Sequence, residues 1–415
     1  MILEIINVNA KRNKKRKMDL LLKNCKILKN DNLILMNILI SENKIQKITC
    51  DMIEGDHDTI DCYGNVVIPG LIDVHVHMRE PGATHKEDWE SGTKAAIAGG
   101  FTMLLAMPNT NPSVTTAEAL DQASNIASQK AYCDWGQFIG AGPQNAPEIA
   151  KIAKKSAGLK MYLDATFGDL KLDEMHLWAH HFEAWPKELP LAVHAEQKTM
   201  AAAILMAEMF DRSIHICHVS KKEEILLIRL AKEKGIRVTC EVAPHHLFLS
   251  EQDFSRLGFG RSEVRPRLAK GSDVDALWEN MDVIDCFATD HAPHTLEEKD
   301  SESPPPGFPG LETALPLLLT AANQGRLTVE TIIEKMHTNP LMIFNLPIQE
   351  NTLIEIDTKE KWHFDAKKTF SKSGWSPFDG WEMTGRLKKV ILRGEEIFKE
   401  GQIVSKPSSG QNIRD

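Results

Sequence analysis

The stretch VVIPGLIDVHVHMREPG, residues 66–82, governs how the rest of the chain is read. Its apolar run ends in His75 and His77, two positions apart, and in a strand that period sets both imidazoles on one face. Histidine binds metals through a neutral ring nitrogen, so a strand-borne pair makes a short, rigid chelate. Two hydrogen-bonded core histidines are the competing reading, and the remaining sequence has to decide between them.

The chain has 415 residues, 42% hydrophobic content and a formal net charge of -9. That length suits one large domain plus a small one. No apolar run reaches the roughly 20 residues needed to cross a bilayer, and the N-terminus MILEIINVNA lacks a basic segment followed by a small-residue cleavage site. A soluble, cytoplasmic protein is expected, with no membrane partner. Cys25, Cys50, Cys62, Cys133, Cys217, Cys240 and Cys286 are odd in number and scattered, which suits reduced thiols and not a disulfide framework. The mild acidity argues against a nucleic-acid groove. The basic run KRNKKRK, residues 11–17, reads as part of a solvated, flexible extension over 1–18, with a targeting or anion-binding patch as the alternative.

From Leu20 onward, short runs rich in Ile, Leu and Val are broken by Asn, Asp and Ser, the pattern of small antiparallel strands. Apolar runs over 71–77, 101–107, 133–140, 158–163, 191–194, 214–219, 237–242 and 284–289 then read as strands. Helical spacing is clearest over 86–98, 116–130, 146–156, 199–210 and 221–234. Repeated strand-helix units imply parallel strands with right-handed crossovers, and eight of them predict an α/β fold of the TIM-type (β/α)8 barrel class. An open doubly wound sheet is the alternative, disfavoured because no Gly-rich dinucleotide fingerprint follows the first strand. Residues 387–404 return to short strands, so both chain ends are expected to build one small β-sandwich domain. The expected division is 1–18 extension, 19–65 small β domain, 66–349 barrel and 350–415 completing the small domain. Residues 350–383 read only as a strand-and-loop connection.

In such barrels the chemistry lies at the C-terminal ends of the strands. Those ends carry His75 and His77, Lys160 in GLKMYL, His194 in LAVHAEQ, Cys217 and His218 in IHICHVS, Glu241 in CEVAPHH and Asp290 in FATDHAPH. Histidines, carboxylates and a lysine converging at one mouth point to a two-metal site. Lysine as an ammonium would be repelled by divalent cations. Lys160 fits only after carbon dioxide has added to its amine, giving an anionic carbamate with two oxygens; a lysine reaching solvent or a carboxylate is the simpler alternative.

HVHMREPG, MPNT, GLKMYL, HAEQ, HICH, CEVAPHH, ATDHAPH and PPPGFPGLET occur in this order. The ordered set resembles the dihydroorotase family of the amidohydrolase superfamily, most of all the dihydroorotase domain of the animal trifunctional pyrimidine-synthesis polyprotein. That resemblance implies one zinc on His75, His77, carboxylated Lys160 and Asp290, and a second on Lys160, His194 and His218. It implies a third on His75, Cys217 and Glu241, against which stands the ordinary behaviour of a buried cysteine as a small apolar group. It also implies substrate contacts from Arg79, Asn109, Arg265 and His294, with backbone contacts near Pro306 and Gly307. Chemically, arginine offers a planar fork for a carboxylate, and asparagine both donates and accepts. Thr166 and Phe167 in DATFGDL resemble the family's mobile lid, although Asp164 and Ala165 replace its Asn and Glu.

The reaction implied is the zinc-dependent, reversible cyclisation of N-carbamoyl-L-aspartate to L-dihydroorotate and water, with Asp290 moving the proton. A homodimer, and association with carbamoyl-phosphate synthase and aspartate transcarbamoylase domains, are implied in the same way. Two other readings remain: a different cyclic amidohydrolase of hydantoinase or allantoinase type, and a non-catalytic scaffold of the same fold.

Overall fold

The computed structural model describes residues 19–30, 32–42 and 44–415. The leader expected over 1–18, with its basic run, lies outside the described residues.

Residues 66–76 hold the junction between two kinds of sheet. Val66–Pro69 pairs antiparallel with Leu353–His363, placing it inside a 9-stranded sheet, whereas Leu71–Val76 starts the parallel strands. Between them lies Gly70, where a Cβ would come within 2.3 Å of Thr102 Oγ1, so only glycine lets the chain change sheets there. The large sheet runs from Gln402–Ile403 through Glu395–Lys399, Glu382–Leu392, Leu353–His363, Val66–Pro69, Asp19–Lys29 and Asn32–Ser41 to Lys44–Thr49, with His57–Asp61 beside Asp19–Lys29. Strands from both ends of the chain therefore share it. Alternation works as a half-buried sheet requires: Cys25, Ile27, Ile38 and Ile40 point into a core with Val67, Leu353 and Ile391. The unassigned segment 350–383 supplies its long strand Leu353–His363 and the loop leading to Glu382.

The remaining strands are parallel. Leu71–Val76, Phe101–Ala106 and Asp134–Gln137 form one sheet; Ile139–Gly140, Leu159–Tyr162, Leu191–His194, Ile214–Ile216, Val238–Val242 and Cys286–Phe287 form another. The run expected as a single strand over 133–140 serves both sheets, broken only at Phe138, whose N–H still donates to Ala106 O at 2.9 Å. At the opposite end, Val76 bridges His291 and the His77 N–H donates to His291 O at 2.8 Å. Almost every residue of these strands is buried, which is why they read as continuous apolar runs and not as alternation.

Helices cover the parallel strands: Trp89–Ala98, Ala117–Lys130, Ala146–Lys151, Met175–Ala184, Gln197–Met209, Lys222–Glu233, Gly271–Glu279 and Leu311–Asn323. Trp89–Ala98 starts at Asp88, whose carboxylate accepts from the Ser91 N–H while the Ser91 hydroxyl faces the Asp88 N–H, a reciprocal cap. Leu311–Asn323 buries most of its residues and holds Pro316. The result is an α/β architecture in which polar residues at the strand ends share one side.

Candidate active site

His75 and His77 stand at the end of Leu71–Val76, and Asp290 follows Cys286–Phe287. Asp290 Oδ1 lies 3.1 Å from His77 Nε2 and 3.4 Å from His75 Nε2. On its other side, His75 Nδ1 meets Glu241 Oε1 at 2.5 Å. His194 Nδ1 faces His218 Nε2 at 2.8 Å. Lys160 is fully buried, and its Nζ donates to Cys217 Sγ at 2.8 Å. Glu241, Cys217 and Lys160 thus form a floor below the histidines.

Burial leaves three of the imidazoles neutral: it lowers His77 to about 4, lowers His194 to about 3 with help from Lys160, and holds His218 well below the usual histidine range. Asp290 is held well below the carboxylate range: burial opposes ionisation, but the adjacent His75 and His77 outweigh it. Neutral imidazoles beside ionised carboxylates are the protonation states metal ligands need. Arg79, His218 and Asp290 also adopt φ of 58°, 36° and 46°, the left-handed region that residues with a Cβ rarely occupy. Three such residues at one mouth fit the clustering of backbone strain at functional sites.

The ligand atoms of His75, His77 and Asp290 lie within 4.8 Å of one another, and so do those of His75, Cys217 and Glu241. His194 Nε2 and His218 Nδ1 are buried with no hydrogen-bond partner among the described residues. The other two nitrogens, His194 Nδ1 and His218 Nε2, converge at 2.8 Å on neutral rings, and such a pair of imidazole donors fits a metal ion.

One cavity is lined by His75, His77, Arg79, Asn109, Thr166, Phe167, His194, His218, Arg265, Asp290, Pro306 and Gly307. Lys160, Cys217 and Glu241 lie beneath it, and His294 contacts Arg79 from behind. Asn109 Oδ1 meets His77 Nδ1 at 2.7 Å, fixing the ring so that Nε2 faces Asp290, and Asn109 Nδ2 donates to Phe167 O at 3.0 Å. Arg79 Nε donates to Pro293 O at 3.1 Å. Arg265 Nη1 donates to Glu263 Oε2 at 2.8 Å and to Val264 O at 2.9 Å. Gly307 has φ 143°, and a Cβ there would lie 2.4 Å from Ala292 O, so the loop can press against the cavity only with glycine.

Three residues at the site were missed by sequence reasoning. His215 Nε2 meets Glu241 Oε2 at 3.1 Å, and Tyr162 lines the cavity with its hydroxyl buried and unpartnered among the described residues. Each sits two residues from an assigned one, Cys217 and Lys160, so period two could have placed both inward. Lys86 carries no such signal; its Nζ lies 3.2 Å from His294 Nδ1 and 3.0 Å from Glu298 Oε1.

A family model described as dihydro-orotase-like matches residues 64–134. The chain is 54% identical over 357 residues to the multifunctional protein CAD of Squalus acanthias, covering 86% of this chain and 16% of that protein. It therefore spans about a sixth of that relative's length, 16%. It is 35% identical over 399 residues to the dihydroorotase of Pyrococcus furiosus, covering 90% of this chain and 92% of the relative. The L-hydantoinase of Arthrobacter aurescens superposes with a TM-score of 0.89 at 26% identity, covering 96% of this chain and 100% of that one. With more than a third of positions identical along nearly the whole of the archaeal enzyme, this chain belongs to the dihydroorotase family.

Proposed function

We propose that the chain is a dihydroorotase, closing N-carbamoyl-L-aspartate to L-dihydroorotate with loss of water and catalysing the reverse. The observation that carries this reading is the meeting of His75, His77 and Asp290 with Arg79 and Asn109 in one cavity. His75, His77, Asp290 and carboxylated Lys160 would hold one zinc, and Lys160, His194 and His218 a second. His75, Cys217 and Glu241 would hold a third. Zinc bound there supplies Lewis-acid activation of water and of a carbonyl. In the hydrolytic direction Asp290 takes the proton of the attacking water and delivers it to the departing ring nitrogen; closure reverses both transfers. Arg79 and Arg265 fork the substrate carboxylate, while Asn109, His294 and the backbone at Pro306 and Gly307 hold the ring edge. Thr166 and Phe167 close over it as a lid.

We infer that the two parallel sheets form one closed (β/α)8 barrel over 66–349. The Val76 to His291 bridge and the hydrogen bond at Phe138 support that closure. The shared sheet supports a small β-sandwich domain from 19–65 and 350–415. A homodimer is proposed on the exposed side chains of Leu205 and Met209 on one helix and Leu226 and Leu230 on the next. Carbamoyl-phosphate synthase and aspartate transcarbamoylase are proposed neighbours because a multifunctional relative matches. No helix among the described residues is long and apolar enough to cross a membrane; a cytoplasmic enzyme is proposed.

The hydantoinase superposition favours one competitor, another cyclic amidohydrolase with the same metals. Zinc analysis of the purified protein, with parallel assays on L-dihydroorotate and hydantoin, decides between them. Turnover of dihydroorotate, lost in Asp290→Asn while zinc stays bound, is expected. Turnover of hydantoin alone would overturn the reading.

A further inference from the structure

Phe167 of the lid sits among cations. Its ring centroid lies 5.2 Å from Arg79 Cζ and 4.9 Å from Lys86 Nζ, both within cation–π range, and the His294 ring packs edge-on at 5.2 Å with an interplanar angle of 77°. The two cations differ in what else holds them. Lys86 has a carboxylate partner, Glu298 Oε1 at 3.0 Å, whereas Arg79 has only the carbonyl Pro293 O, reached through its Nε, among the described residues.

His294 sharpens that difference. Burial and the nearby cations Arg79 and Lys86 keep it neutral, so each ring nitrogen is either donor or acceptor. The Lys86 ammonium can only donate, so Nδ1 accepts from it at 3.2 Å and the ring proton sits on Nε2, where Pro306 O accepts at 3.1 Å. Arg79 Nη2, 3.0 Å from that protonated Nε2, then finds no acceptor there and is left for an anion. An arriving carboxylate would draw the charge of Arg79 away from the aromatic face. Lys86, already neutralised by Glu298 and out of the cavity lining, would not be drawn.

We propose that Lys86 is the lid's latch, a positioning residue that holds Phe167 closed over the cavity and leaves Arg79 free for the substrate carboxylate. This rests on the dihydroorotase reading for the substrate, but not for the lid. Substrate binding and lid order therefore both depend on the Lys86–Phe167 pair.

The test is a double-mutant cycle with Lys86→Met and Phe167→Leu, read as KM and kcat for L-dihydroorotate and as hydrogen exchange of amides 165–168 in substrate-free protein. A partly buried cation–π contact is worth about 3- to 30-fold in an equilibrium, so each single variant should raise KM by about 5-fold with a smaller change in kcat. The double variant should be no more than about 2-fold worse than either single one, because both remove the same contact. Lid amides should exchange faster in Lys86→Met and return toward wild type in Lys86→Arg. If Lys86→Met does not fold, Lys86→Gln completes the same cycle. Effects on KM that multiply, or lid exchange unchanged in the charge-removing variant, overturn the latch. Absent dihydroorotate turnover in the wild type would overturn the enzyme reading, and lid exchange would still decide the latch.

Discussion

Asp73 and Thr289 tie the first parallel strand to the segment that ends the last one: Asp73 Oδ2 accepts from the Thr289 hydroxyl at 2.5 Å, and Oδ1 accepts from the Thr289 N–H at 3.1 Å. The same Oδ1 accepts from the His75 N–H at 3.1 Å. One fully buried carboxylate thereby sets the relative heights of His75 and of Asp290, the residue after Thr289.

Replacing that carboxylate should cost both stability and metal. Asp73→Ala leaves three buried donors unpaired, each worth about 1–3 kcal/mol, so unfolding in urea should fall by several kcal/mol and bound zinc should drop. Asp73→Asn keeps one acceptor oxygen and should lie between. Wild-type zinc content and midpoint in Asp73→Ala would mean the strands are aligned by something else.

Lys299 plays a comparable part behind the cavity, and its loss should be felt in binding more than in turnover. Its fully buried ammonium donates to Glu263 O at 2.7 Å, Pro305 O at 2.9 Å and Gly307 O at 3.3 Å, joining the loop that carries Arg265 to the loop that carries Pro306 and Gly307. Lys299→Met strands three carbonyls and should cost about 3 kcal/mol in urea unfolding. KM for dihydroorotate should rise while kcat changes less, because the two loops lose their common anchor. Unchanged KM with unchanged stability would remove Lys299 from that role.

How much of this was legible in the sequence depended on the range of the interaction. His75 and His77 could be placed because alternation along one strand is local, and His194 and Asp290 because one ends and the other follows an apolar run, whereas Lys160 and Glu241, expected at strand ends, lie inside Leu159–Tyr162 and Val238–Val242. The division of labour between the two sheets was only partly visible: a break one residue long, at Phe138, leaves no mark in composition. Asp73 carries no local signal of its role, since its partner Thr289 is 216 positions away. Lys86 was invisible for the same reason, its contact with His294 spanning 208 positions. Cys217 was left between ligand and apolar filler; the structure sets its sulfur against Lys160 Nζ at 2.8 Å, a neighbour only the fold could supply.

A pH effect should trace to Glu312, outside the proposed metal site. Its carboxylate accepts from the Phe370 N–H at 2.9 Å and the Ser371 N–H at 3.2 Å, yet burial pushes it from the ordinary 4.5 up to about 8. An acid raised on folding binds its proton more tightly in the native state, so its stabilising contribution is complete below 4.5 and is lost as pH rises toward 8. The slope is at most about 1.4 kcal/mol per pH unit. Glu312→Gln keeps an acceptor oxygen and abolishes the titration. Urea midpoints from pH 5.5 to 7.5 should fall in the wild type relative to this variant; parallel curves would place the proton elsewhere.

Cys217 offers the sharpest count. Its sulfur shares a ligand-sized group with His75 and Glu241, all within 4.8 Å, and all three residues are buried. If that group holds its own ion, the wild type should carry three zinc equivalents per chain. Cys217→Ser should then carry two, because a serine hydroxyl is a far poorer zinc ligand than a thiolate. His75 would still serve the ion it shares with His77 and Asp290, so the remaining two should survive dialysis. A thiol that only fills space and accepts from Lys160 predicts something different: serine also accepts a hydrogen bond, and the zinc count would stay as in the wild type. Equal zinc content in Cys217→Ser and wild type would therefore strike out the third ion while leaving the other two in place.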